Sequence, residues 1–229
     1  MRREGRSPVV GGCGRRCGIV RVRSGFDGAR GRRRAVGRRD VIGRARKKPE
    51  GGGPEAIQRI LGLVEGTQQG QNLGAGARKE IEEACNSIAS TSSPVEVNDE
   101  LSKSWKLVFT TEKETLFICS SAKKLLGLDT EVRQVIDLER KRLQNRIEFS
   151  NGASFVVDSS LSTDAKNDRR ANFEFTGAKL ALPSSVFNLP PVGKGWFDNL
   201  YIDETYRLAV DSRNDILLVQ NVGEPDFFD

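Results

Sequence analysis

The 229-residue sequence contains no histidine and has only four cysteines, Cys13, Cys17, Cys85 and Cys119. The missing histidine excludes Ser-His-Asp and Cys-His relays and imidazole metal ligands. The cysteine spacing gives neither a disulfide framework nor a CxxC metal pair. GxGxxG, P-loop and GxSxG motifs are also absent. The sequence therefore predicts no catalytic residue, no metal and no cofactor, and Cys85 is interpreted as a buried small residue.

Long apolar runs are missing as well. No stretch approaches the roughly 20 apolar residues that a membrane-spanning helix needs. We therefore expect any membrane contact to be peripheral.

The net positive charge of the chain comes from its N-terminal end. Residues 1–50 hold 17 basic and 4 acidic residues, a charge of +13, whereas the remainder holds 20 and 27, a charge of −7. A nucleic-acid-binding fold should carry a positive patch of its own. No nucleic acid is therefore predicted as a partner of the folded part.

The N-terminal segment, residues 1–53, holds 13 of the 24 glycines and few large apolar residues. Such a composition predicts disorder. An Arg-rich, acid-poor N-terminus is typical of an organelle transit peptide, which is the interpretation we favour. A basic arm that neutralises phosphates of RNA and an artefact of the start site are the alternatives.

Hydrophobic spacing divides the rest into a helical leader, residues 54–95, and a strand-rich part, residues 101–222. Pro54 suits a first helical turn, a helix-like stripe follows to Val64, and a second helix is predicted over about residues 77–89. From Leu101 the period becomes two, and TLFICS at 115–120 is taken as one of eight or nine short strands. The prediction is a mainly β fold, an antiparallel sheet closed into a barrel and preceded by two short α-helices.

Four phrases then resemble the plastid-lipid-associated protein family, the fibrillins of plastids. LGLVEGTQQGQNLGAGARKEIEEA is similar to the family's helix–turn–helix leader, and SWKLVFTT to its first strand. VRQVIDLERKRLQNRIEF is similar to its "QVID…LQN" hairpin, and GWFDNLYIDETYRLAV to its closing segment. The resemblance covers about residues 54–222, and its motif positions include Gln134, Asp137, Asn145, Tyr201 and Asp203.

The resemblance implies a lipocalin-like barrel and a plastid location, on plastoglobules or thylakoids. It implies a structural or lipid-carrying role, with prenylquinone and carotenoid metabolism as recurring settings, and it supports a chloroplast transit peptide over residues 1–53. It also implies that Trp105 and Arg207 close one end of the barrel, as a first-strand tryptophan and a last-strand arginine do in lipocalins. A structural plug is the favoured role for Arg207, and a cation that pairs with a ligand head group is the alternative.

Two sets of residues are candidates for lipid contact. The first set is predicted to point into the barrel and either fills it or lines a ligand cavity: Leu107, Phe109, Phe117, Val135, Ile147, Phe155, Val157, Phe173, Phe175 and Leu217. The second set lies in a Pro-rich loop predicted over residues 180–197, and either dips into a lipid surface or folds back as a lid: Val186, Phe187, Leu189, Trp196 and Phe197.

We therefore expect a non-enzymatic plastid protein that binds a hydrophobic small molecule or coats lipid surfaces. The first alternative is a scaffold with a filled barrel that recruits a plastid protein partner, such as an enzyme of lipid or quinone metabolism. The second is a nucleic-acid binder that uses its N-terminal segment, and the third is an undetected lipid-modifying enzyme.

Overall fold

The structure is a computed structural model of the chain and describes residues 52–91 and 95–228. The predicted transit peptide lies outside the described residues except for its last two glycines, so it stays a prediction. The elements are α1 (Gly53–Val64), α2 (Ala75–Thr91), a 3₁₀ turn (Asp99–Leu101), β1 (Ser104–Thr110), α3 (Lys113–Leu126), β2 (Thr130–Asp137), β3 (Arg142–Phe149), β4 (Ser154–Asp164), β5 (Asn167–Leu182), β6 (Ser185–Leu189), β7 (Lys194–Ile202), β8 (Tyr206–Asp211) and β9 (Ile216–Asn221).

Antiparallel pairing closes the sheet into a ring, which confirms the predicted fold class. The strand order is β4-β3-β2-β1-β9-β8-β7-β5-β6, and a further pairing of β4 with β5 completes a ring of eight strands. Among the described strands, β6 pairs only with β5 and stands outside the ring. Closure removes sheet edges, which would otherwise expose unpaired backbone groups.

The helical leader covers the outer face of the ring over β1, β8 and β9. Ile57 and Ile60 of α1 and Ile81 of α2 are buried in one core cluster with outward-facing strand residues such as Leu208 and Leu218. A second core cluster, with Trp105 and Leu143 among its members, fills part of the interior. The predicted helical stripes therefore act as packing surfaces.

The segment 115–120 is helical, so its prediction as a strand is wrong. It belongs to α3, in which Thr115, Ile118, Cys119 and Ala122 recur at helical spacing. Gly127 ends the helix in the left-handed conformation at φ 70°, as helix C-termini commonly require. Six residues are too few to separate the two periods, because short apolar runs fit either element.

The Pro-rich segment 180–197 forms a hairpin and the start of a strand, so its prediction as a loop is also wrong. β5 continues to Leu182 and turns at Pro183 and Ser184 into β6. Proline breaks a sheet ladder only within a paired strand. Here Pro183 stands in the turn, and Pro190 and Pro191 follow β6.

Candidate functional site: the cavity inside the ring

The ring encloses an apolar cavity of about 520 Å³. Every one of its eight strands contributes to the wall, and this volume lies in the range of small-molecule sites, roughly 300–1,000 Å³. Its apolar lining consists of Leu107, Ile118, Val132, Leu143, Ile147, Phe155, Val157, Phe173, Phe175, Val192, Phe197, Ala209, Ile216, Leu217 and Val219.

Seven of the ten residues predicted to point inward line this cavity. They are Leu107, Ile147, Phe155, Val157, Phe173, Phe175 and Leu217. The structure places the other three, Phe109, Phe117 and Val135, elsewhere. Whether a ligand contacts the seven stays a prediction.

A β-bulge explains the position of Phe109. Leu107 pairs with Val219, but Phe109 pairs with Leu218, so Val108 is inserted without a partner. Because side chains alternate between the two faces of a sheet, one extra residue moves each later side chain of the strand to the opposite face. Phe109 is therefore buried against α1 and α2 on the outer face.

Phe117 and Val135 miss the cavity for different reasons. Phe117 lies on α3 with 71% of its surface exposed. Val135 pairs with Ser104 and Gln144, and both of these bind the C-terminal segment on the outside of the ring. Val135 therefore faces outward and is buried there.

Trp105 and Arg207 lie together at one end of the ring, and both are fully buried. The guanidinium carbon of Arg207 is 5.4 Å from the Trp105 ring centre and 5.2 Å from that of Phe197. The Trp105 indole donates to the carbonyl of Leu101 at 3.0 Å. Cation–π contacts of this kind contribute about 0.5–2 kcal/mol each.

Amide oxygens, rather than carboxylates, receive the N–H groups of Arg207. Its Nη1 donates to Asn199 Oδ1 at 3.2 Å, and its Nη2 donates to Gln134 Oε1. Among the described residues, its Nε has no hydrogen-bond partner. Burial lowers the pKa of Arg207 to about 9, because the charged form is less stable away from water.

The opposite end of the ring is the mouth of the cavity. α3 crosses it, with Thr115 and Ile118 on the cavity wall. Arg213, in the β8–β9 turn, ties α3 to the ring through Glu112 at 2.9 Å and Glu114 at 2.8 Å. Burial raises the pKa of Glu112, although Thr115 donates a hydrogen bond to it.

Exposed apolar side chains lie on the elements at this end of the ring and are called the rim here. They belong to α3 and to the β5–β6–β7 connection, and they comprise Phe117, Leu125, Leu126, Leu182, Val186, Phe187, Leu189 and Val192. Such side chains in one region mark an interaction surface more often than isolated ones do.

Two residues predicted for the lipid-surface loop are not part of the rim. Phe197 is buried inside the ring. Trp196 is partly buried beneath Arg170, whose guanidinium carbon is 3.5 Å from the indole centre. Both belong to β7, where alternation sends them to opposite faces.

The remaining motif residues stabilise turns. Asp137 accepts the backbone N–H of Arg140 at 2.9 Å in the β2–β3 turn. Asp203 accepts the N–H groups of Thr205 and Tyr206, and Tyr201 donates its hydroxyl to the same carboxylate. These three residues therefore shape the scaffold and not the cavity wall.

The C-terminal sequence DFFD fits either a packed tail or a hook for a partner, and the structure packs its described residues against the ring. Gln144 and the backbone of Phe228 exchange two hydrogen bonds at 2.9 Å. The Phe227 ring centre lies 4.3 Å from the Arg142 guanidinium carbon, and the Phe228 ring centre lies 4.9 Å from Lys179 Nζ. The segment is thus a strap on the outer wall.

Within the part of the chain that the structure describes, no helix is long and apolar enough to cross a membrane. The same residues contain no group of three or more His, Cys, Asp or Glu side chains placed to hold a metal ion.

A ring of eight antiparallel strands, with an apolar cavity and a buried Trp–Arg pair at one end, defines a lipocalin-like β protein. A family model, PAP_fibrillin, matches residues 55–220. The chain is also 36% identical over 168 residues to "Probable plastid-lipid-associated protein 11, chloroplastic" of Arabidopsis thaliana, a match that covers 72% of this chain and 78% of the relative. No solved structure gives a significant match.

The chain therefore belongs to the plastid-lipid-associated, or PAP_fibrillin, family. It is a plastid protein, as its relative is.

Proposed function

We propose that this protein binds one small hydrophobic molecule in its cavity and exchanges it with plastid lipid surfaces, on which the rim docks. The observation that carries the proposal is an apolar cavity with exposed apolar side chains on the elements at the same end of the ring as its mouth. A scaffold with a filled interior needs no cavity, whereas a carrier that loads from a lipid phase needs both features at the same end.

The cavity supports a binding role more directly than a catalytic one. Its wall is mainly apolar and includes the amides of Gln134 and Asn145. The carboxylates of Glu112 and Glu114 at the mouth form ion pairs with Arg213. The proposal therefore assigns no catalytic step.

The rim supports contact with the lipid phase at shallow depth. Phe187 is 53% exposed and Leu125 is 80% exposed, and each exposed apolar side chain gains about 1.5–3 kcal/mol when it is fully buried. Lys124, next to Leu125, and Lys194, close to Val192, stand beside this surface with exposed side chains. Their charge favours an anionic lipid surface.

The first experiment tests the cavity. The full-length protein is incubated with a total plastid lipid extract and re-isolated by gel filtration, and the lipids that co-elute are extracted and quantified. We expect one defined lipid near one mole per mole of protein. A Val157→Trp variant should lose it because the indole occupies the cavity, whereas Ser162→Trp on the exposed side of the same strand should retain it.

Two outcomes of this experiment contradict the carrier role. A mixed, non-stoichiometric load that survives in Val157→Trp would indicate surface coating without an internal site. No bound lipid would indicate a filled interior, and a scaffold that recruits an enzyme of plastid lipid metabolism would become the better proposal.

The second experiment tests the rim by flotation with phosphatidylcholine vesicles that do or do not contain phosphatidylglycerol. A Phe187→Ser, Leu189→Ser double variant should bind both vesicles several-fold more weakly than the wild type. Val222→Ser is the control, because Val222 is also exposed but follows β9 at the closed end. Equal binding by all three proteins would show that the rim does not dock.

A further inference from the structure

A chain of hydrogen bonds runs from the buried Arg207 to the wall of the cavity. Arg207 donates to Gln134 Oε1. Gln134 Nε2 in turn donates to Asn145 Oδ1 at 3.0 Å. Gln134 and Asn145 are directly opposite each other on β2 and β3, and both line the cavity.

The arginine fixes the orientation of both amides. A guanidinium has only N–H donors, so the Gln134 atom that faces it must be the carbonyl oxygen. The amide nitrogen of Gln134 then points at Asn145, whose nearer atom must also be the oxygen. The remaining group of this chain is the Asn145 Nδ2 amide, which has no partner among the described residues.

The second branch from Arg207 ends within the protein. Asn199 accepts from Arg207 and passes its own Nδ2 hydrogen to the carbonyl of Arg169 at 3.2 Å. Within the described residues, the branch through Gln134 is therefore the one that delivers an unused donor to the cavity.

The surroundings of Asn145 on the wall are apolar. Leu143 and Ile147 flank it on β3, and Val157 is opposite it on β4. All three line the cavity. Asn145 is partly buried in this wall, so its amide can donate to an acceptor that enters the cavity, where the apolar surroundings strengthen a hydrogen bond.

From this geometry we infer that the cavity selects apolar molecules that carry a hydrogen-bond-accepting carbonyl oxygen on the part that reaches Asn145. The positive charge of Arg207 strengthens the donor through the shared amide, since hydrogen bonds in a chain polarise one another. The same charge disfavours a ligand with a cationic head group. This inference rests on the proposed function, because it requires that the cavity takes up a ligand.

Two probes that differ in one group test it: decanophenone, an aryl alkyl ketone, and decylbenzene, which has a methylene in place of the carbonyl. Their dissociation constants are measured on the full-length protein by displacement of the neutral dye N-phenylnaphthylamine. Asn145→Leu should weaken decanophenone about threefold to tenfold, the effect of one hydrogen bond. It should leave decylbenzene unchanged.

Infrared spectroscopy reports the carbonyl stretching band of the bound ketone, which responds to a hydrogen bond and not to packing alone. The carbonyl band of decanophenone should shift to lower wavenumber in the wild type and return to its position in alkane solvent in Asn145→Leu. Ile147→Val on the same strand is the control, because it alters the wall without changing a donor. It should affect both probes equally and preserve the shifted band.

Asn145→Asp provides a second variant of nearly the same shape if the leucine variant does not fold. Its carboxylate still accepts from Gln134 but offers the cavity no amide N–H, so decanophenone should lose affinity and its band should lose the shift.

Two results overturn the inference while the carrier role stands: equal loss of both probes in Asn145→Leu, or an unshifted band in the wild type. Failure of both probes to displace the dye, together with no lipid bound from the plastid extract, would refute the proposed function itself.

Discussion

Replacement of Arg207 by methionine tests whether the buried arginine acts as a structural plug. The side chain is fully buried, with two amide oxygens and two aromatic rings around its guanidinium. Methionine is of similar length and flexible, so it fills most of the same space without a charge. The change therefore removes the electrostatic contacts and keeps most of the packing.

The expected change in the free energy of unfolding is the difference between the contacts that Arg207→Met removes and the burial cost of the cation that it also removes. The buried amide oxygen of Asn199 loses its donor at about 1–3 kcal/mol, and the partly buried oxygen of Gln134 loses its donor at the low end of that range. The contacts with Trp105 and Phe197 contribute about 0.5–2 kcal/mol each. Against this, the variant no longer buries a cation, a relief of several kcal/mol. Removing one member of a buried ion pair costs about 3–5 kcal/mol, largely because a charge is left behind. Here the groups left behind are neutral, so we expect a smaller loss, about 2–3 kcal/mol.

The free energy of unfolding is measured by urea titration of the full-length protein, followed by circular dichroism and by tryptophan fluorescence. A loss of this size lowers the Tm by about 5–10 °C for a domain of 150–250 residues. Arg59→Met is the control, because the Arg59–Glu80 pair is exposed on α1 and α2 and such pairs contribute about 0–1 kcal/mol.

Unchanged or increased stability in Arg207→Met would refute the plug. Unchanged stability with lost ligand binding would favour the head-group cation instead. A Gln134→Leu, Arg207→Met double variant refines the result, since both partners of one hydrogen bond are then absent. Its loss should be smaller than the sum of the two single losses, as coupled neighbours require.

Two further predictions concern the helical leader. Gly70→Ala should destabilise the protein by about 2–4 kcal/mol in the same urea titration, because Gly70 has φ +111° and an added Cβ would stand 2.3 Å from the Thr110 carbonyl oxygen. Gly62→Ala, on open helix surface, is the control and should be neutral or stabilising by up to about 1 kcal/mol. Equal effects of the two substitutions would contradict a structural role for the turn at Gly70. Burial raises the pKa of Cys85 to about 12, so iodoacetamide at pH 8 should leave Cys85 unmodified in the native protein and should label it in urea. Peptide mass spectrometry measures the labelled fraction. Rapid labelling of the native protein would show that the thiol is accessible and would contradict this prediction.

Local signals in the sequence were sufficient where the structure itself is local. The β2–β3 hairpin and both leader helices are specified by residues within a few positions of one another, and they form as predicted. The closure of the ring is predicted from the number of short strands, although α3 stands between β1 and β2. The Trp105–Arg207 contact joins residues far apart in the sequence, and only resemblance to a family indicated it.

The errors arise where one residue or one turn changes the periodicity. The bulge at Val108 reverses Phe109, and no composition signal marks it. The segment of α3 for which the sequence predicts a strand is six residues long, a length at which the two periods cannot be distinguished. The C-terminal strap depends on Gln144, about 80 positions upstream, so its own residues carry no local signal.

The choice of neutral amides around Arg207 links the closed end of the ring to the cavity. A carboxylate there would neutralise the guanidinium and end the hydrogen-bond chain within the wall, as the exposed pairs of Arg213 do at the mouth. Glutamine instead accepts from the arginine with one atom and donates onward with another, so the positive end of the chain reaches Asn145. The same residue then serves packing and selectivity, and the two roles separate experimentally. Loss of Arg207 should lower both the stability and the carbonyl shift, whereas Asn145→Leu should remove the shift at a smaller cost in stability, because only Gln134 then loses a hydrogen-bond partner.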